Sequence, residues 1–217
     1  MVNRTVNGGT VRYIEKMAKD SEVKPDTTCK VMDAFTSGVN GPASTTIAVG
    51  THLEGESVVV WADGEPLVET VAGRSVPLEY TVDASGNITV ASAVTNWVAG
   101  LPYTARYKSA RLAYGATSGT AMLQKKRVCK IGFVMNDFVR AGINYGSEFD
   151  NADRPLYPLT ALQDGITAQS VVLSDIQDEE LMTFPGSFDT DSRICFEIKS
   201  PNTANVLGMV LEIQTND

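Results

Sequence analysis

Between residues 41 and 109 the chain is built of short β-branched and aromatic runs, each closed by a turn signal. ESVVVWA ends in Asp63-Gly64 and EPLVETV in Ala72-Gly73; SVPLEYTV runs into DASGN before ITVAS. NWVAGLPYTARYKSARL then carries two more strand-like pieces around Gly100-Leu101-Pro102. Asp-Gly between such runs is a strong hairpin signal, because the tight turn needs positive φ and glycine accepts it without steric cost. Asp63 is therefore read as a turn residue rather than a catalytic acid. Turns recurring at intervals of roughly ten residues predict a sandwich or barrel.

The second half shows period-two alternation in longer segments. KRVCKIGFVMND sets Val128, Lys130 and Gly132 against Cys129, Ile131 and Phe133. SRICFEIKS sets Ile194, Phe196 and Ile198 against Arg193, Cys195 and Glu197, and NVLGMVLEIQT puts Leu207, Met209, Leu211 and Ile213 on one face. Such alternation marks half-buried strands. GSEFDNADRPLYPLTALQDG reads as loop, and SDIQDEELMTF as a helical turn with Ser174 as N-cap. TVRYIEKMAKD fits a helix through Val11, Ile14, Met17 and Ala18, or a strand; the preceding Gly8-Gly9 favours the strand. SGVNGPASTTI reads as a linker.

The expected fold class is all-β: a β-sandwich-like unit formed by residues 1–38 plus 118–217, with an inserted small β-barrel or sandwich module at 41–112. Hydrophobic residues at 43% of the chain are enough for a core. No run of about 18 apolar residues occurs, so no membrane-spanning helix or anchor is expected.

The net charge of −8 and pI near 4.7 disfavour non-specific DNA binding, which needs clustered Lys and Arg. The densest basic run is QKKR, with Lys125, Lys126 and Arg127, read as a solvated strand start. Cys29, Cys129 and Cys195 lie far apart without any C-x-x-C pair, which argues against zinc and for buried thiols in a reducing cytoplasm.

Nothing in the chain spells a catalytic motif. The sole histidine, His52, precedes the turn-like LEGE and reads as a loop or packing residue. There is no G-x-S-x-G elbow, phosphate-binding loop or dinucleotide fingerprint. No cofactor is expected. Acids gather at Glu148, Asp150 and Asp153, at Asp175, Asp178, Glu179 and Glu180, and at Asp189 and Asp191. Solvated loop acids, a bound cation and a carboxylate pair are the alternatives for them. Trp61, Trp97, Tyr103 and Tyr107 either fill a core or form a carbohydrate-binding face.

Several phrases taken in order resemble tail nozzle, or tail tubular, proteins of short-tailed bacteriophages. HLEGESVVVWADGEPL and NWVAGLPYTARYKSARL are similar to a segment of those proteins with His-Leu-Glu-Gly, a valine-rich strand, an Ala-Asp-Gly turn and a later Val-Gly-Leu-Pro-Tyr. VNGGTVRYIEKM resembles the strand before it, and KKRVCKIGFVMNDFVRAGINYG a Lys-Lys-Arg-led strand pair. PGSFDTDSRICFEIKSPNTANVLGMVLEI resembles their closing stretch. The likeness runs along nearly the whole chain and corresponds to the C-terminal part of those larger proteins.

The resemblance implies a non-enzymatic structural protein of the virion tail, forming a ring, sixfold in the family, that lines the DNA exit channel. Its partners would be copies of itself, neighbouring tail or adaptor proteins, and DNA that passes without specific binding. Asp175, Asp178, Glu179, Glu180, Glu148, Asp150 and Asp153 are the candidate channel-lining acids, repelling phosphate so that DNA slides. The alternative is a tail-tip module that recognises a host surface glycan or protein.

Overall fold

The computed structural model describes residues 1–6, 8–71, 74–112, 115–116, 119–120, 124–139, 142–151, 155–159, 173–177 and 181–215. Among them the chain is all-β, with two 3-10 turns and no α-helix. It divides into two compact units, Met1–Thr104 with Lys199–Thr203, and Ala105–Ile198 with Ala204–Asp217.

The first unit contains β1 (Val2–Val6), β2 (Gly9–Tyr13), β3 (Asp33–Ala48), β4 (Ser57–Ala62), β5 (Glu65–Pro66), β6 (Val68–Val71), β7 (Arg74–Pro77), β8 (Tyr80–Thr81) and β9 (Asn87–Leu101). Its main sheet runs β3-β9-β4-β5, with β8 beside β4. Hairpins β1-β2 and β6-β7 each form a two-stranded sheet. Ile47, Val58, Val60, Ile88, Val90 and Trp97 build the core on one face of the main sheet. Val59, Trp61 and Val98 are fully buried as well, so β4 reads as an unbroken valine run instead of alternating.

The expected linker at SGVNGP is part of a strand. β3 runs from Asp33 to Ala48 and pairs with β9 on both sides of it. The register jumps from Val39↔Asn96 to Ser44↔Val94, so Asn40–Ala43 bulge out of the ladder. Asn40 stitches the bulge: its Nδ2 donates to the Val94 carbonyl at 3.1 Å, and its Oδ1 accepts Trp97 Nε1–H at 3.3 Å. Glycine, asparagine and proline signal a bulge as readily as a linker. The grouping of contacts therefore differs from the 1–38 plus 118–217 partition: the first forty residues belong with the valine-rich middle.

The second unit contains β10 (Thr104–Lys108), β11 (Gly115–Ala116), β12 (Gly119–Thr120), β13 (Lys126–Val139), β14 (Ile143–Gly146), β15 (Tyr157–Pro158), β16 (Leu173–Gln177), β17 (Met182–Thr183), β18 (Cys195–Lys199) and β19 (Asn205–Thr215). One sheet runs β10-β18-β14-β15; the other has β13 flanked by β16 and β17 on one side and β19 on the other. Between them lies a core of Ile131, Phe133, Met135, Ile143, Tyr145 and Ile194. Phe133 sits edge-on to both Tyr145 and Phe196, with centroids 5.9 and 6.0 Å apart. This is a sandwich-like packing of two sheets.

Phe196 and Ile198 of β18, with Ile194 just before it, face that core as expected, but Cys195 and Glu197 on the opposite face are buried too, so the strand is not half-buried. In β13 and β19 the alternation slips. The ladder steps from Val128↔Ile213 to Lys130↔Glu212, leaving Cys129 as the extra residue of a bulge. Val128 and Ile131 thereby both reach the core, although they are three apart. A second shift, from Val134↔Gly208 to Met135↔Val206, skips Leu207. Of the expected face, Met209 and Leu211 pack inward, joined by Val206, while Leu207 and Ile213 are exposed, Leu207 at 71%. A one-residue insertion reverses the faces of everything on one side of it. The expected helical turn at Ser174 is instead strand β16, antiparallel to β13.

Candidate functional site

Three of the seven candidate channel acids lie among the described residues. Glu148 and Asp150 are exposed in the loop after β14, and Asp175 lies in β16. Asp153, Asp178, Glu179 and Glu180 lie outside the described residues. Asp150 takes a two-pronged bond from Arg106, with Nη1 and Nη2 at 2.8 and 2.9 Å. Arg106 Nε donates to the buried Glu197 at 2.7 Å, and its guanidinium lies 5.1 Å above the Phe149 ring. The node fastens β10, β18 and the loop after β14 together, and it spends the charge of Asp150 on an internal partner.

Asp191 is committed in the same manner. Its carboxylate accepts Arg193 Nε at 2.8 Å and Arg111 Nε at 2.9 Å, and Arg193 first, then Arg111, hold its pKa below the usual carboxylate range. A carboxylate kept ionised by guanidinium groups cannot deliver a proton near neutral pH. A small groove of about 180 Å³ beside it is lined by polar groups, among them Lys108, Ser147, Glu148 and Ser187. Among the described residues no group of three His, Cys, Asp or Glu side chains is placed to hold a metal ion.

The basic run corrects one expectation. Lys125 is exposed, but Lys126 is fully buried, so QKKR is not a solvated strand start. Lys126 and Asp189 exchange backbone hydrogen bonds at 2.9 and 3.0 Å, and Ser192 Oγ donates to the Lys126 carbonyl at 2.7 Å. Lys126 Nζ donates to the carbonyls of Gln124 and Thr190, both at 3.4 Å. Arg127 covers the Phe188 ring at 5.3 Å. The KKR and FDTDSR phrases, some sixty residues apart, thus form one clasp closing the second unit.

The remaining singled-out residues occupy turn, packing and buried positions. Asp63 and Gly64 are the two central residues of the β4-β5 hairpin, at φ of 50° and 94°. His52 packs edge-on to Tyr13 and sets Nε2 3.4 Å from Thr36 Oγ1; no carboxylate completes a catalytic relay in these contacts. Trp61 and Trp97 are buried, with Trp61 Nε1 donating to the Asp26 carbonyl at 2.8 Å. No tryptophan therefore contributes to an exposed aromatic strip, leaving only the half-exposed Tyr103 and Tyr107. Cys29 and Cys195 are buried; Cys129, extruded by its bulge, is only half-buried.

What stands out is surface rather than cleft. Strand β3, 16 residues long, pairs only with β9, and β19, 11 residues long, only with β13, among the described residues. Each leaves a row of backbone N–H and C=O groups on its outer edge. Val39 on β3 and Leu207 on β19 are 72% and 71% exposed. The N-terminal hairpin is also unusual, with Val2, Val11 and the following Ile14 and Met17 exposed.

No protein-family model matches this sequence, and no curated protein matches it significantly.

Proposed function

We propose that this chain is a structural subunit of a phage tail in the virion, packing against copies of itself in a ring around the DNA exit channel. The observation that carries the reading is the pair of open edges on β3 and β19. Natural sheets blunt such edges with charge, proline or bulges when they must stay monomeric. Here β3 carries no charged residue from Ala34 to Ala48, and β19 carries one, Glu212. Pro42 and its bulge blunt the middle of β3, and the bulge at Leu207 one end of β19; the rest of each edge carries only Asp33 and Glu212 as charges. Edges of this kind suit strand-to-strand or sheet-to-sheet contact between subunits, and a head-to-tail contact that closes makes a ring. The resemblance to tail nozzle proteins supplies the ring and the channel; the net charge of −8 suits a lumen that must not adsorb DNA. Of the described lining candidates, Glu148 fits that role better than Asp150, whose charge is compensated by Arg106.

The test is the mass of the purified chain by sedimentation velocity, with electron microscopy of the same sample. A closed ring of identical subunits is the expected result. A monomer at every concentration up to the solubility limit would refute the reading. A ring with Lys125 facing its lumen in place of the acids would remove the charge-repulsion part alone.

A further inference from the structure

The N-terminal arm is basic on a chain that is acidic overall, a character it shares with the acid-free stretch 84–136. Up to Lys19, just before the 3-10 turn Asp20–Glu22, it holds Arg4, Arg12, Lys16 and Lys19 against the single acid Glu15, a net +3. With −8 for the whole chain, the remainder carries −11. The arm also exposes apolar side chains: Ile14 is 92% exposed and Met17 90%, with Val2 and Val11 above one third. A groove of about 930 Å³ runs along it, lined by Met1, Val2, Tyr13, Ile14, Met17 and Phe35 among others.

A lone two-stranded hairpin is marginal in water, and this one is pinned. Arg4, only 13% exposed, donates to both Glu15 oxygens at 2.6 and 2.8 Å and reaches Asp33 Oδ2 at 3.1 Å. Tyr13 adds a bond to the His52 carbonyl at 3.4 Å. These bonds tie the hairpin down at Arg4, Tyr13 and Glu15, which lowers the ordering cost of docking.

We propose, resting on the ring reading, that this arm is a further contact, beside the strand edges, by which one copy grips the next. Its apolar residues and positive charge lie on the acidic body of the neighbouring subunit. The partner follows from charge: a net +3 arm is complementary to the acidic stretches 20–83 and 137–217 of another copy, which together carry −18, and not to its basic stretch 84–136. The contact is heterologous, arm to body, the type that propagates around a ring.

Two variants of the full chain test this by sedimentation velocity across a concentration series. Ile14→Ser with Met17→Ser removes the apolar contact at exposed sites and leaves the arm's charge unchanged, so the subunit keeps its wild-type melting temperature. Subunit affinity is expected to fall about 100-fold or more. Arg12→Glu, Lys16→Glu and Lys19→Glu together reverse the charge, and weakened assembly is expected, as it is for the wild type when salt is raised. If either variant assembles as the wild type does, the arm contact is overturned while the ring reading stands. If the wild type is itself monomeric throughout, the ring reading fails and the arm contact with it.

Discussion

The carboxylate of Asp63 caps the backbone of Asn96, accepting its N–H at 2.7 Å and that of Thr95 at 3.0 Å from the far side of the β4-β5 turn. In return the Asp63 N–H donates to the Asn96 carbonyl at 2.9 Å. One residue thus serves as turn former and as a clip onto the central strand β9. The Asn96 bond first, then that of Thr95, hold the Asp63 pKa below the usual carboxylate range. Asp63→Asn tolerates the positive φ but loses charge-assisted acceptance, and is expected to cost about 1 kcal/mol by urea denaturation; Asp63→Ala, strained at φ 50°, costs more.

Acid should unfold this protein through the same chemistry. Arg4 holds Glu15 low, Lys30 draws Glu22 down to about 2, and Asp63 and Asp191 are also depressed. A carboxyl depressed in the folded state stabilises the fold above its unfolded pKa of about 4 and loses that contribution as pH falls through the folded value. Stability is expected to be flat near neutrality and to decline below about pH 4. In Asp63→Asn the difference from wild type should shrink as pH drops toward 2; a difference independent of pH would show that the carboxylate charge is not the cause.

Gly38 has no room for a side chain. A β-carbon there would stand 2.5 Å from Cζ2 of Trp97, whose ring is itself fixed by Asn40. Gly38→Ala is expected to destabilise by about 1–3 kcal/mol through overpacking. Asn40→Ala is expected to cost about 1–2 kcal/mol, because it leaves the Trp97 N–H and the Val94 carbonyl without this partner. Thermal denaturation monitored by circular dichroism measures both.

Thiol chemistry should separate the three cysteines. Cys29 is buried, and burial pushes its pKa up to about 12; burial raises Cys195 as well. Cys129 is half-buried on its bulge. A disulfide reagent at pH 8 is expected to titrate one thiol, Cys129, in the native protein and three in denaturant. Loss of the native signal in Cys129→Ser identifies it.

Tryptophan fluorescence addresses the glycan-binding alternative. With Trp61 and Trp97 buried, emission is expected to be blue-shifted, shielded from iodide and unchanged by added oligosaccharides. Quenching by a sugar would favour the recognition module.

The local chemistry of the chain by itself determined the all-β class, the Asp63-Gly64 hairpin and the inward face of Ile194, Phe196 and Ile198. These follow from interactions among near neighbours: φ tolerance at a turn, and the two-residue period of a strand. Tertiary structure alone decided that SGVNGP runs within β3 into a bulge at Asn40–Ala43, that Cys129 and Leu207 are displaced from their expected faces, and that Lys126 is buried beneath the FDTDSR clasp. Each depends on which distant strand supplies the ladder. A bulge exists only relative to a partner, and one extra residue on one strand reverses which side chains meet the core. The exposure of Ile14 and Met17 belongs to the same class, since apolar character indicates what gains from being covered but not what covers it.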